Sequence, residues 1–167
     1  EHLTKVEIPT NSNLQTIEYS AFSCSNIKDI FIPPKVSRIC ERAFLDCKNL
    51  TKVEISQDSN LQTIEPYAFS CSNIKDIFIP PKVSKVCENA FYDCKNLTKI
   101  EIPQDSNLQT IEPYAFSCSN IKDIFIPPKV SKVCENAFYD CKNLTKIEIP
   151  QDSNLQTIEP YAFSCSN

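Results

Sequence analysis

Residues 74–96 read IKDIFIPPKVSKVCENAFYDCKN, and residues 97–120 read LTKIEIPQDSNLQTIEPYAFSCSN. The two stretches share one grammar. Apolar residues stand at positions one, four and six (Ile74, Ile77, Ile79; Leu97, Ile100, Ile102), a proline follows, and an Ala-Phe pair with a nearby cysteine closes each unit. Alternating apolar residues over so short a run predict a strand with one face turned inward. Proline offers no amide N–H to a ladder, so it ends the strand and turns the chain. One such stretch cannot enclose its own apolar residues, whereas a stack of them can.

The pattern runs on in both directions. Residues 74–120 and 121–167 are identical at all 47 positions, and residues 27–73 differ from them at six. The chain therefore divides into seven units of 23 or 24 residues, starting at Leu3, Ile27, Leu50, Ile74, Leu97, Ile121 and Leu144. Self-similarity at this period means an array in which each unit packs on its neighbours. We read residues 1–167 as a single solenoid with a parallel sheet along one side. At about 4.8 Å per strand, seven units span roughly 34 Å.

Composition narrows the function. The 167 residues include no Gly, Met or Trp, but 12 Pro and 10 Cys. Turns must therefore be made by Pro, Asn, Asp and Ser. A net charge of −4 gives no basic footprint for nucleic acid. No apolar run approaches the roughly 20 residues of a membrane span, so no direct membrane insertion is expected. The chain lacks an initiator Met and opens inside its own pattern, which reads as an excerpt of a longer protein.

LTKIEI and IKDIFI fit the LxxLxL strand of leucine-rich repeats, and the recurring Ile-Pro with Ala-Phe-x-x-Cys is more specific. On these motifs residues 3–167 resemble the BspA-like, Treponema-type class of leucine-rich repeat proteins. The resemblance implies an α/β-type, right-handed horseshoe or arc. Its concave face would carry one parallel sheet, and its convex face short helical or irregular segments. It also implies a surface or secreted adhesin that binds host extracellular-matrix or cell-surface protein and has no catalytic activity or cofactor.

The cysteines fall into two groups. Aligned as one Ala-Phe-x-x-Cys column, Cys24, Cys47, Cys71, Cys94, Cys118, Cys141 and Cys165 are expected to pack as a reduced ladder inside the core. Disulfides along the column are the alternative, since one strand spacing falls within the Cα range of a bridge. Cys40, Cys87 and Cys134 occur in alternate units, at a place where the others carry Glu18, Glu65, Glu112 and Glu159. A position that accepts glutamate is expected to lie near solvent. With one histidine and no Cys-x-x-Cys, a zinc site is not expected.

Two outward strand columns remain. Lys5, Asp29, Lys52, Asp76, Lys99, Asp123 and Lys146 alternate in sign, which favours pairing between adjacent strands and suits a register device. Beside them run Glu7, Phe31, Glu54, Phe78, Glu101, Phe125 and Glu148. Phenylalanine on a solvent face is costly to leave bare, and aromatics are enriched where proteins meet. The candidate partner-binding stripe is Phe31, Phe78 and Phe125, flanked by Lys28, Lys75, Lys122, Glu54 and Glu101. The bland alternative has each ring covered by neighbouring Glu and Lys stems.

Catalysis needs a non-repeating constellation of groups that tune one another, and here every acid and thiol recurs with the period. The reading is therefore a non-catalytic protein-binding module of an adhesin, with no catalytic residue, metal or cofactor. The alternative is a structural spacer or consensus array without a ligand. Terminal units without a polar cap leave an end-to-end dimer open. Head-to-tail stacking would set Lys146 beside Lys5, which argues against a continuous filament.

Overall fold

The computed structural model describes residues 3–166, which wind as a solenoid of short parallel strands. In chain order the strands are β1 (Thr16–Ile17), β2 (Asp29–Ile32), β3 (Arg38–Ile39), β4 (Lys52–Ile55), β5 (Thr63–Ile64), β6 (Asp76–Phe78) and β7 (Lys85–Val86). After them come β8 (Lys99–Glu101), β9 (Thr110–Ile111), β10 (Asp123–Phe125), β11 (Lys132–Val133), β12 (Lys146–Glu148) and β13 (Thr157–Ile158).

The expected single sheet at the Leu-x-x-Ile-x-Ile segments is instead three parallel pairs, β2–β4, β6–β8 and β10–β12. Each ladder joins strands 23 residues apart, as Asp29 to Lys52, Asp76 to Lys99 and Asp123 to Lys146. The ladder lapses at each 24-residue step, where the intervening unit holds two more residues before its inward Leu and one fewer after its Phe. The continuous sheet lies elsewhere. It has seven two-residue strands in the order β1-β3-β5-β7-β9-β11-β13, made by the Thr-Ile, Arg-Ile and Lys-Val segments.

The side opposite the paired strands holds no helix among the described residues, so the helical option is corrected. Each Ala-Phe segment is instead a string of turns with two left-handed residues. Ser20, Arg42, Tyr67, Asn89, Tyr114, Asn136 and Tyr161 precede the alanine, and Cys24, Asp46, Cys71, Asp93, Cys118, Asp140 and Cys165 follow the phenylalanine, all at φ between 53 and 61. Positive φ this frequent interrupts any right-handed run, so i→i−4 bonding cannot propagate. The amides instead alternate their partners. Those of Ser20, Phe22 and Cys24 donate to Glu41, Ala43 and Leu45 carbonyls of the next turn, at 3.1, 2.8 and 2.8 Å. Those of Ala21 and Ser23 close local turns onto Glu18 and Ser20.

The interior is a set of columns. Phe22, Phe44, Phe69, Phe91, Phe116, Phe138 and Phe163 stack with centroids 5.0–5.4 Å apart and nearly parallel planes. Such spacing fits the offset stacking that aromatic rings favour. Alanines beside them, such as Ala68 and Ala90, are fully buried, because only a small side chain fits under the stacked rings. Leu50, Ile74, Leu97 and Ile121 continue the same core on the strand side.

The cysteine column needs correction. Cys47, Cys94 and Cys141 follow their Phe by three residues and are fully buried, whereas Cys24, Cys71, Cys118 and Cys165 follow theirs by two. That missing residue turns the second group outward, to the left-handed place that Asp46, Asp93 and Asp140 hold elsewhere. Their inward place is taken by serine. Ser72 and Ser119 hydroxyls lie 3.5 and 3.3 Å from the Cys94 and Cys141 sulfurs. The inward ladder thus alternates Ser and Cys, and all ten thiols are free.

Cys40, Cys87 and Cys134 are buried too, at 5%, 8% and 3% exposure, contrary to the expectation of solvent contact. Glutamates at the equivalent places keep only their stems there. The Glu65 and Glu159 carboxylates reach out to accept the Glu41 and Glu135 amides at 3.0 Å, and pair with Arg38 and Lys132. The short thiol is covered where the longer side chain escapes.

Candidate protein-binding face

The strand face is built by β2, β6 and β10, whose pleat points Asp29 and Phe31, Asp76 and Phe78, Asp123 and Phe125 to the same side. Phe31, Phe78 and Phe125 are half-buried, and their backbone partners are Glu54, Glu101 and Glu148. Lys28, Lys75 and Lys122 are exposed at the strand entries. Their carbonyls accept the amides of Thr51, Thr98 and Thr145 at 2.9 Å, which fixes the backbone there and leaves the lysine heads outside.

A groove of about 430 Å³ lies between Phe31 and Phe78 and is also lined by Glu54, Asp76 and Glu101. A second depression joins Phe31 to Lys28, Lys52 and Glu54. A third joins Phe78 to Lys99 and Glu101. The structure thus brings Phe31, Phe78, Lys28, Glu54 and Glu101 together along one surface. Phe125 repeats the setting of the other rings, while Lys75 and Lys122 stand at the equivalent strand entries without lining those three depressions.

The alternating Lys and Asp column keeps its backbone register, but its ammonium groups do not turn across to the aspartates. Lys52, Lys99 and Lys146 pair within their own strands with Glu54, Glu101 and Glu148, at 2.7, 3.1 and 2.7 Å, and Lys5 pairs with Glu7 in the same manner. Residues i and i+2 share a face of a strand, and the longer Glu side chain meets Lys more easily than Asp does. These hydrogen bonds push Lys52 and Lys146 above the ordinary lysine range. Exposed pairs of this kind contribute little to stability. Their effect is to leave each half-buried ring between neutralised charges.

Burial pushes Cys87 up to about 11 and Cys94 up to about 12, which keeps both protonated at neutral pH. No three His, Cys, Asp or Glu side chains among the described residues are placed to hold a metal ion. No described helix is long and apolar enough to cross a membrane.

A further feature lies on the turns. Tyr19, Tyr67, Tyr114 and Tyr161 form a column of left-handed or flanking residues beside Arg42, Asn89 and Asn136. The signal was the departure of residues 27–73 from the later copies at Arg42 and Leu45.

Among solved structures, a leucine-rich repeat protein from Bacteroides ovatus is similar, with a TM-score of 0.70 at 25% identity over 92% of this chain and 45% of its own. A leucine rich cell surface protein from Faecalibacterium prausnitzii gives 0.61 at 24%, over 84% and 43%. The T. pallidum leucine rich repeat protein gives 0.60 at 21%, over 79% and 73%. The last two show likeness of fold alone, and the chain spans less than half of the first two proteins. A search of curated proteins gave no match. The family described as BspA type Leucine rich repeat region matches in six copies, across residues 1–119 and 54–167. The chain therefore belongs to the BspA-type leucine-rich repeat family.

Proposed function

We propose that the chain is a non-catalytic, protein-binding stretch of a surface or secreted adhesin, whose strand face meets a host matrix or cell-surface protein. BspA-type repeats are generally protein-interaction or surface modules, which supports the class. The observation that carries the reading is the row of half-buried Phe31, Phe78 and Phe125 at alternate turns, with grooves between and beside the first two. An apolar spot at about every 10 Å suits an extended partner that gains avidity from several weak contacts. Lys28, Lys75 and Lys122 would steer it, and Glu54 and Glu101 would edge the rings. The division into seven units over residues 3–167 belongs to the same reading.

The test is binding to a panel of extracellular-matrix proteins and host cells. The comparison is a variant with Phe31, Phe78 and Phe125 changed to Ser and its fold checked by circular dichroism. Binding that the variant loses supports the reading. Binding that survives moves the contact off this face, and no binding by either favours a spacer. An end-to-end dimer belongs to the same reading. Sedimentation that finds only monomer at high concentration would exclude it.

A further inference from the structure

Arg42 stands at a left-handed turn position, φ 58, between two tyrosines of the neighbouring turns. Its guanidinium carbon lies 6.0 Å from the Tyr19 ring centroid and 5.6 Å from that of Tyr67. Its Nη1 donates to the Tyr19 hydroxyl at 3.0 Å, and its Nε lies 3.5 Å from the Glu41 carboxylate. An arginine head is thus held by two aromatic faces, a phenol oxygen and a carboxylate. Cations within about 6 Å of an aromatic face are attracted by its quadrupole.

The corresponding place in residues 121–167 holds Asn136, also left-handed at φ 56. Its side-chain amide donates to the Glu135 carboxylate at 3.1 Å and reaches no further. The tyrosine of the following turn remains, as Tyr161 for Tyr67. On the preceding turn Pro113 holds the place of Tyr19 and Tyr114 stands one residue on, at the left-handed position, while Tyr139 replaces Leu45. Together with Glu135 and Asn136 they line an open cleft of about 430 Å³. Tyr114, Tyr139 and Tyr161 are 36%, 37% and 63% exposed. In the repeat between, the Tyr92 ring turns its edge to Tyr114 at 6.5 Å and takes up part of the gap.

We infer that the cleft between Tyr114 and Tyr161 receives an arginine side chain displayed by a partner protein. Arg42 shows such an occupant in a related frame: a guanidinium between two tyrosine rings, with Tyr161 standing where Tyr67 does, Glu135 where Glu41 does, and Tyr114 one residue beyond the place of Tyr19. Lysine fits less well, because a planar guanidinium stacks on rings and forks to acceptors while an ammonium does neither. The cleft lies on the turns, apart from the phenylalanine stripe, so either surface can fail its test without the other.

The probe is the tripeptide Ac-Gly-Arg-Gly-NH2, titrated into protein with labelled tyrosine rings and followed by NMR. Ac-Gly-Leu-Gly-NH2 is the comparison. The expected result is a saturable, millimolar shift of the Tyr114, Tyr139 and Tyr161 resonances with the arginine peptide alone. Asn136→Arg tethers a guanidinium in the cleft, and should weaken peptide binding about tenfold or more. Tyr161→Asn removes one wall with a residue already used at this backbone position, and should weaken it likewise. No saturable shift, equal shifts with the leucine peptide, or undiminished binding in both variants would overturn the inference.

Discussion

The Cys94 thiol donates a hydrogen bond to the Phe69 carbonyl oxygen 3.1 Å away on the preceding turn. Cys47 and Cys141 do the same to Phe22 and Phe116, at 3.0 and 3.3 Å. Each inward sulfur is therefore a bonded part of the stack as well as a filler of it.

Accessible thiols should divide accordingly. We expect Cys24 and Cys165 to react quickly with a disulfide reagent in the folded protein, and Cys71 and Cys118 more slowly, following their exposure. Cys40, Cys47, Cys87, Cys94, Cys134 and Cys141 should react only on unfolding. Mass spectrometry of the labelled cysteines checks the assignment. Rapid native labelling of Cys94 would contradict it.

Alkali should destabilise the fold. Burial raises the Cys87 thiol to about 11 and Cys94 to about 12. Thiols of the unfolded chain ionise near pH 8.5. Above that value the folded state holds more protons than the unfolded one, so stability falls as pH rises from roughly 9 to 11 and is intact below about 8. Urea midpoints across this range measure it. A Cys47→Ser, Cys94→Ser, Cys141→Ser variant should show a shallower decline, since serine already fills alternate places of that ladder.

Phe91 is fully buried between Phe69 and Phe116. Phe91→Ala should cost about 3–5 kcal/mol, by lost transfer energy and by the cavity left. Because each turn contacts only its neighbours, we also expect the urea transition to broaden or divide at the break. A single sharp transition with an unchanged midpoint would contradict both expectations.

Left-handed residues without glycine carry strain. Cys118 sits at φ 61, where a β-branched side chain costs about 1–3 kcal/mol. Cys118→Val should lower the urea midpoint, while Cys118→Gly should leave it unchanged or raise it slightly. Equal effects of both variants would mean that the backbone relaxes at this turn.

The core columns were legible because Ile, Leu, Ala and Phe recur at fixed places, and burial follows from stacking. The two fates of the cysteines were not. Phe116-Ser117-Cys118 and Phe91-Tyr92-Asp93-Cys94 look alike until one residue decides which side chain faces inward. The left-handed positions were half hidden: Asn89, Asn136, Asp46, Asp93 and Asp140 are of the types that favour positive φ, but Tyr, Cys and Arg in the equivalent places carry no such signal. Thr110–Ile111 and its counterparts are too short to display an alternation, so the continuous sheet went unread. The phenylalanine stripe could be named from outward strand positions, but the pairing of Lys52 with Glu54 rather than Asp29 depended on side-chain reach.

Two kinds of turn alternate along this solenoid, and their strand partners lie 22 and 25 residues apart in succession, as Thr63 to Lys85 and Lys85 to Thr110. The array can therefore lengthen or shorten cleanly only by whole pairs. Loss of one 23-residue unit would juxtapose two serine turns and set lysine against lysine along the strand column. Deletion of residues 74–120 would instead restore every neighbour relation. Recombination between such copies can thus change the length of the solenoid while leaving every contact within it the same.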